Sequence, residues 1–287
     1  MTKIAVVTDS SAYIPQELID QYSIHVIPLT VLWGSENLLD GVDITPVEFL
    51  QRLTEDPIHP TTTQPNPEDF TIIYEQLATE YDAIVAPLIS TDLSGTVNSA
   101  EMAAKDFSQI PVRIVDSRST TMGLGFATLA AARAVAQGKS LEEVEEAARS
   151  VVSKVKVLFV VDTLEYLHKG GRIGGASRFL GTALSLKPLL HLNEGRVDAL
   201  EKVRTKGKAV NRMIELAAQY ANDRPVRVSV VHAGVPQEAE AIKSRVAEQM
   251  ECLELHMTML SPAISVHTGP GTLGLAVCPD EVGGSPH

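Results

Sequence analysis

The stretch Ala83 to Thr96 (AIVAPLISTDLSGT) decides the fold class. Its first seven residues are continuously apolar, the pattern of a strand covered on both faces of a parallel sheet. The chain then turns polar, and Ser94-Gly95-Thr96 opens a helix-forming stretch that runs to about Phe107. A buried strand leading into a helix is half of a strand-helix-strand unit, and the flanking sequence repeats it. Upstream, Lys3 to Thr8 (KIAVVT) is a second such run, followed by Asp9-Ser10-Ser11 and a helical stretch from Pro15 to about Tyr22. Ile24 to Leu32 reads as a further strand. Thr45-Pro46 and Asn66-Pro67 each place a capping side chain before a proline at the first helical position. Between them, His59 to Pro67 (HPTTTQPNP) reads as a Pro- and Thr-rich loop. Downstream, Val112 to Val115 is a third buried strand. Thr120 to Ala136 and Leu141 to Val152 are helices, with Gly138 as the stop between them and Ser140 as the next cap. The expectation is an α/β fold with a mostly parallel sheet in this half.

The second half changes character. Val157 to Val161 is a strand, Leu164 to Leu167 a short helical turn, and Lys169 to Gly175 (KGGRIGG) a glycine-rich loop. A helical stretch to about Ser185 precedes strands at Leu189 to Leu192 and Arg196 to Val203. The Asn193-Glu194-Gly195 turn between those strands predicts a hairpin, hence antiparallel pairing and a mixed sheet. Arg227 to His232 and Leu253 to Met259 are further strands. A chain of 287 residues exceeds what one core comfortably serves. The expected division is residues 1–153, residues 154–280, and a polar, Gly- and Pro-containing tail at 281–287 that is disordered.

Composition narrows the function. The net charge of -12 argues against a nucleic-acid binder. No apolar run is long enough to span a bilayer. The opening residues lack the basic and long apolar regions of a signal peptide. The two cysteines, Cys252 and Cys278, form no CxxC, so the expected compartment is the cytoplasm. Charge is uneven. His168 to Arg212 holds ten Lys/Arg and three Asp/Glu, a local +7 that reads either as solvated faces or as a docking surface for an acidic partner or membrane.

Four segments carry polar chemistry. Pro60-Thr61-Thr62-Thr63-Gln64-Pro65 packs three hydroxyls together, as a ligand cradle or a turn cluster would. Leu93-Ser94-Gly95-Thr96 sits at the carboxyl end of a buried strand, where ligands bind in open α/β sheets. Its helix start suits an anion, its glycine a close approach, and its Ser94 equally suits a plain N-cap. His267-Thr268-Gly269-Pro270-Gly271 fixes an imidazole before a rigid turn, for a carboxylate or for structure alone. Lys169 to Gly175 combines glycines with cations, as phosphate contacts and flexible connections both do. No HExxH, CxxC or GxSxG occurs, the histidines lack metal-ligand spacing, and no base is identifiable beside Ser10 or Ser11. An anion site without catalytic or metal machinery points to a binder.

Together these segments resemble the DegV family, which includes the fatty-acid-binding subunits of bacterial fatty acid kinase. The matching pieces are IAVVTDSSA, IPLTV, PTTTQP, ISTDLSGTVNSA, VDS, LEYLHKGGRI, SLKPLL and HTGPGTLG, in order along nearly the whole chain. The resemblance implies a two-domain α/β protein that buries one long-chain fatty acid in a tunnel, lined in part by the Phe179 to Leu190 region. It implies a carboxylate held by Thr62 and Ser94, with Thr63, Gly95 and His267 beside it. Thr63 stands where the family commonly has serine. Arg172, in KGGRI, would contact a partner or a phosphate. The chain would need no cofactor and have no catalytic residue of its own. A partner fatty acid kinase would phosphorylate the presented carboxylate, with transient membrane contact during lipid exchange. Two other readings fit the residues: a stand-alone phosphotransferase or hydrolase using Ser94 and His267, and a binder of another amphipathic anion.

Overall fold

The computed structural model describes residues 2–180 and 187–280. The tail expected at 281–287 and the middle of the Phe179 to Leu190 stretch lie outside the described residues. The first half contains β1 (Ile4–Asp9), α1 (Gln16–Tyr22), β2 (His25–Ile27), β3 (Thr30–Trp33), β4 (Glu36–Leu39), α2 (Pro46–Glu55) and β5 (Thr61–Thr63). It continues through α3 (Pro67–Ala78), β6 (Ala83–Leu88), α4 (Thr96–Asp106), β7 (Val112–Asp116), α5 (Thr121–Ala136) and α6 (Leu141–Val152). The second half contains β8 (Lys156–Val160), α7 (Glu165–Lys169), β9 (Lys187–Asn193), β10 (Arg196–Val203) and α8 (Lys206–Ala221). It ends with β11 (Val226–His232), α9 (Pro236–Gln249), β12 (Cys252–Met259), α10 (Pro262–Thr268) and β13 (Leu273–Pro279).

The fold is α/β, with a parallel four-stranded sheet, order β2-β1-β6-β7, in the first half and a mixed six-stranded sheet, order β10-β9-β8-β13-β11-β12, in the second. A small antiparallel sheet, β4-β3-β5, accompanies the parallel one. Contacts divide the chain into two compact units. Among the described residues, the first comprises 2–153 with 194–196 and 261–266; the second comprises 154–180, 187–193, 197–260 and 267–280. The chain therefore crosses between units several times, once inside α10.

Local chemistry explains most elements. Thr45, Asn66 and Ser140 each form a reciprocal capping box, with Glu48, Asp69 and Glu143 respectively, and the first two are followed by proline. Gly138 ends its helix at φ +71°. α5 is buried for nearly its whole length, as an Ala- and Gly-rich helix without an exposed charged face must be. In the first unit Phe70, Tyr74, Ile84 and Leu88 anchor the core between the parallel sheet and α3 and α4. In the second, Met213, Val228, Leu275 and Val246 do so between the mixed sheet and α8 and α9.

Some sequence expectations are corrected. Ile24 to Leu32 is not one strand. Pro28 has no N–H for the ladder, and the Leu29 N–H is diverted to Ser10 Oγ at 3.0 Å, so β2 and β3 separate into different sheets. Thr61–Thr63 is a strand, not a loop, paired antiparallel with β3 through Val31↔Thr62. Its β-branched threonines suit a pleated surface, and Pro60 and Pro65 flank it. The helices α8 and α9, the turn of helix α10 and the central strand β13 were not read from the sequence.

Candidate functional site

In the parallel sheet, β1 is followed by β2 on one side and β6 by β7 on the other, so the strand order reverses between β1 and β6. The crevice beyond the carboxyl ends of those two strands is the expected place for a ligand. Asp9 closes β1. Its carboxylate caps the following turn through the Ser11 N–H (3.0 Å) and hydroxyl (2.5 Å), and accepts the Ile89 N–H beyond β6 (2.7 Å). Ser10 donates its hydroxyl to Asp40 at 2.7 Å while accepting the Leu29 N–H. The sequence showed no base beside Ser10. The structure places the Asp40 carboxylate there, in a site where Ser10 is locked by the Leu29 peptide. Both acids are buried, and among the described residues neither has a cation for a partner. Burial pushes Asp9 above the usual carboxylate range and raises Asp40 to about 7, more than their hydrogen bonds lower them.

Beyond β6 lies the Ser94 segment. The Ser94 N–H donates to Ser90 O at 3.0 Å, and the Ser94 and Thr96 hydroxyls are 2.9 Å apart. Gly95, not Ser94, is the N-cap of α4, and it makes no side-chain cap, so the leading peptide N–H groups of an eleven-residue helix point out of its start. The Thr61–Thr63 strand reaches the same place. A Cβ on Gly95 would stand 3.0 Å from Gln64 Nε2 and 3.2 Å from its Cδ, so Gln64 lies directly against the Gly95 backbone. Strand alternation puts Thr62 on the face opposite Thr61 and Thr63, and the Thr63 hydroxyl reaches Gln64 O at 3.4 Å. Thr62, Thr63, Ser94 and Gly95 thus belong to one unit, and Gln64 links their two segments. Neither Gln64 nor Asp40 was read as a site residue. Gln64 stood inside the quoted motif, but Asp40 carries no local signal beyond a turn-like Asp-Gly.

His267 and Arg172 belong to the second unit, where their two loops interlock. A Cβ on Gly170 would overlap His267 Nδ1, one on Gly269 the Tyr166 ring, and one on Gly271 the Asp162 carboxylate. Gly269 and Gly271 also hold positive φ (+76° and +78°). Arg172 donates to Gly170 O at 2.8 Å, so it braces the residue that packs on His267. Much of the basic tract is ion-paired, partly with its own acids and partly with acids from outside it. Lys169 pairs with Glu165, Arg178 with Asp198, Lys187 and Lys206 with Asp162, Arg196 with Asp92, and Arg212 with Glu201. Among the described residues, exposed Arg204 and Lys208 have no ion pair, and Lys202 sits 4.8 Å over the Phe179 ring. The described residues contain no cluster of three His, Cys, Asp or Glu that could hold a metal, and no helix long and apolar enough to cross a membrane.

A DegV domain-containing protein of Streptomyces coelicolor is 41% identical over 277 residues, 96% of this chain and 98% of that protein. A DegV family protein from Thermus thermophilus, described for its fatty acid binding, superposes with a TM-score of 0.92 at 38% identity, covering 97% of this chain and 100% of that one. Bacillus subtilis DegV, described as a fatty acid binding protein, superposes with a TM-score of 0.91 at 34% identity, covering 98% and 100%. The model of the DegV family matches residues 3–280, and on that span the chain belongs to the DegV family.

Proposed function

We propose that this chain binds one long-chain fatty acid in a buried apolar tunnel and presents its carboxylate to a partner fatty acid kinase. The observation that carries the reading is the meeting of Gln64 with Gly95. It joins two hydroxyl-bearing segments beyond the carboxyl end of a parallel strand, in a chain similar over nearly its whole length to proteins described as fatty acid binding. Thr62 and Ser94 would donate hydroxyl protons to the carboxylate, with Thr63 and the Gly95 backbone beside them. Each buried methylene contributes roughly 0.8 kcal/mol, so a chain of about fourteen supplies on the order of 11 kcal/mol before ordering costs. The head group then needs positioning more than strength, which neutral donors provide. His267 is proposed from the resemblance alone.

The chemistry belongs to the partner. It would move the γ-phosphoryl group of ATP onto a carboxylate oxygen, releasing ADP and leaving an acyl phosphate. Because much of the basic tract is paired within the chain, docking falls to its exposed remainder, Lys202, Arg204 and Lys208, of which the first two carry the test. Reversing both to Glu should reduce stimulation of the kinase at least tenfold, with a smaller loss at high salt, and leave lipid binding unchanged. Unchanged stimulation would sink this docking surface.

The test of the binding reading is native mass spectrometry of the purified protein, followed by denaturing release of the ligand. One fatty acid per chain is expected, lost or weakened in Thr62→Ala/Ser94→Ala and measured in parallel for His267→Gln. A wild-type protein that carries no fatty acid and takes up none would end the reading.

A further inference from the structure

Two hydroxyls in the first unit are buried without a use. Thr120 and Thr121 are 7% and 6% exposed, and among the described residues neither Oγ1 has a hydrogen-bond partner. Both stand at the start of α5. Thr120 is its N-cap but makes no side-chain cap, although threonine is a residue type that normally does. Thr121 is its first residue and holds φ +52°, a conformation that costs a β-branched side chain free energy unless its surroundings impose it. α5 has sixteen residues, so the positive end of a long, buried helix dipole lies at these hydroxyls. Unsatisfied buried donors, backbone strain and a helix start in one place are the features of a site built for an oxyanion.

The position is adjacent to the Ser94 segment. The Ser117 N–H donates to Leu88 O at 3.0 Å and the Ser90 N–H to Ser119 O at 2.9 Å, so the approach to α5 is stitched to the residues that lead from β6 to Ser94. The Thr91 hydroxyl adds a bond to Asp116 at 2.8 Å. The one cation of this segment, Arg118, is exposed and paired with Glu194. A ligand group here would meet neutral donors only.

We propose that the first turn of α5 is a further arm of the carboxylate site, in which the Thr120 and Thr121 hydroxyls and the leading α5 N–H groups donate to the fatty acid head group. The proposal rests on the fatty-acid reading above. A carboxylate offers about four lone-pair positions, and out of water each needs a donor. Thr62 and Ser94 supply at most two hydroxyl donors, so alone they leave the head group short. The α5 hydroxyls supply the remainder, and the ligand in turn satisfies groups that the folded chain leaves unpaired.

The test uses the full-length protein, stripped of co-purified lipid, with hexadecanoic acid and hexadecanol as probes. Thr120→Val/Thr121→Val keeps the branching and volume and removes only the hydroxyls. Its affinity for the acid should fall about tenfold or more, with a smaller change for the alcohol. The thermal midpoint of the lipid-free variant should stay level or rise, because buried orphan hydroxyls have been removed. Thr121→Ser, which restores a hydroxyl, should bind the acid nearly as wild type does. If the double variant fails to fold, Thr120→Val and Thr121→Val are compared singly, each with part of the effect. Acid binding equal to wild type, or a lower thermal midpoint with unchanged affinity, would overturn the proposal and leave the fatty-acid reading standing. A wild-type protein that binds neither probe would overturn both.

Discussion

At the end of β1, Asp9 and the nearby Asp40 are buried among hydroxyl and peptide donors, and among the described residues no lysine or arginine answers them. Just past β8, Asp162 in the second unit meets Lys187 and Lys206, and Lys206 also meets Glu238. At these two strand ends the first unit handles an acid by burying it, which raises its pKa, and the second by pairing it with a cation, as the first unit does only with its more exposed acids. This difference bears on function. A region whose own carboxyl groups are pushed towards the neutral form and whose other polar groups are hydroxyls leaves the negative charge to the ligand. The second unit spends its charges on itself and fixes its loops with glycines. Its KGGRI and HTGPG segments are rigid where the first unit's threonine and serine segments offer donors.

The sharpest way to break this contrast is to disturb the second unit's lock. Gly271 is buried, holds φ +78°, and faces the Asp162 carboxylate, which two lysines hold in place. Gly271→Ala adds left-handed strain to an overlap that would pull Asp162 from its cations. A loss of about 3–5 kcal/mol is expected, read as a fall in the thermal midpoint or in chemical denaturation. Gly41→Ala in the first unit is the control. It carries the same kind of strain at φ +77° but has nothing within 4 Å, so only about 1 kcal/mol should be lost. Equal losses for the two would mean that the glycine lock adds nothing beyond backbone conformation.

How much of this was legible in the sequence depended on the range of the interaction. The caps at Thr45, Asn66 and Ser140 and the stop at Gly138 are written within a few residues and were read correctly, although the acids that complete the capping boxes were not. The buried parallel strands followed from continuous apolar runs. β13 was missed because Gly274 weakens its pattern, yet that glycine is demanded by tertiary packing: a Cβ there would lie 2.9 Å from Val231 and 3.0 Å from the Leu158 carbonyl. The break at Pro28 was visible as a proline, but its other cause, a hydrogen bond donated to Ser10 by the Leu29 N–H nineteen residues on, was not. The same limit applies at the site. Ser94 and Thr62 stood in recognisable motifs, whereas Thr120 and Thr121 read only as the start of a helix, and what sets them apart is their burial and lack of partners. The local +7 was misleading in the opposite sense, since a count along the chain does not see the acids that fold back on it.

A smaller effect tests the first unit's side of the comparison. Asp40 is 2% exposed, and burial raises it from the ordinary range near 4 to about 7. The folded state therefore holds a proton that the unfolded chain has released at the same pH. The stability this contributes is fully present below the unfolded pKa and is lost as pH rises through the folded one. Asp9, raised by the same cause, acts with the same sign. Wild-type stability should accordingly fall by about 2 kcal/mol from Asp40 between about pH 5 and pH 7. Asp40→Asn keeps an acceptor for the Ser10 hydroxyl and cannot titrate. Its stability should change less over that interval, and it should exceed wild type at about pH 8, because it avoids a buried, uncompensated anion. Urea denaturation of both proteins across the range measures the two slopes. Parallel slopes would show that Asp40 remains ionised throughout, and the contrast between a buried neutral acid at the end of β1 and a cation-paired one past β8 would be broken.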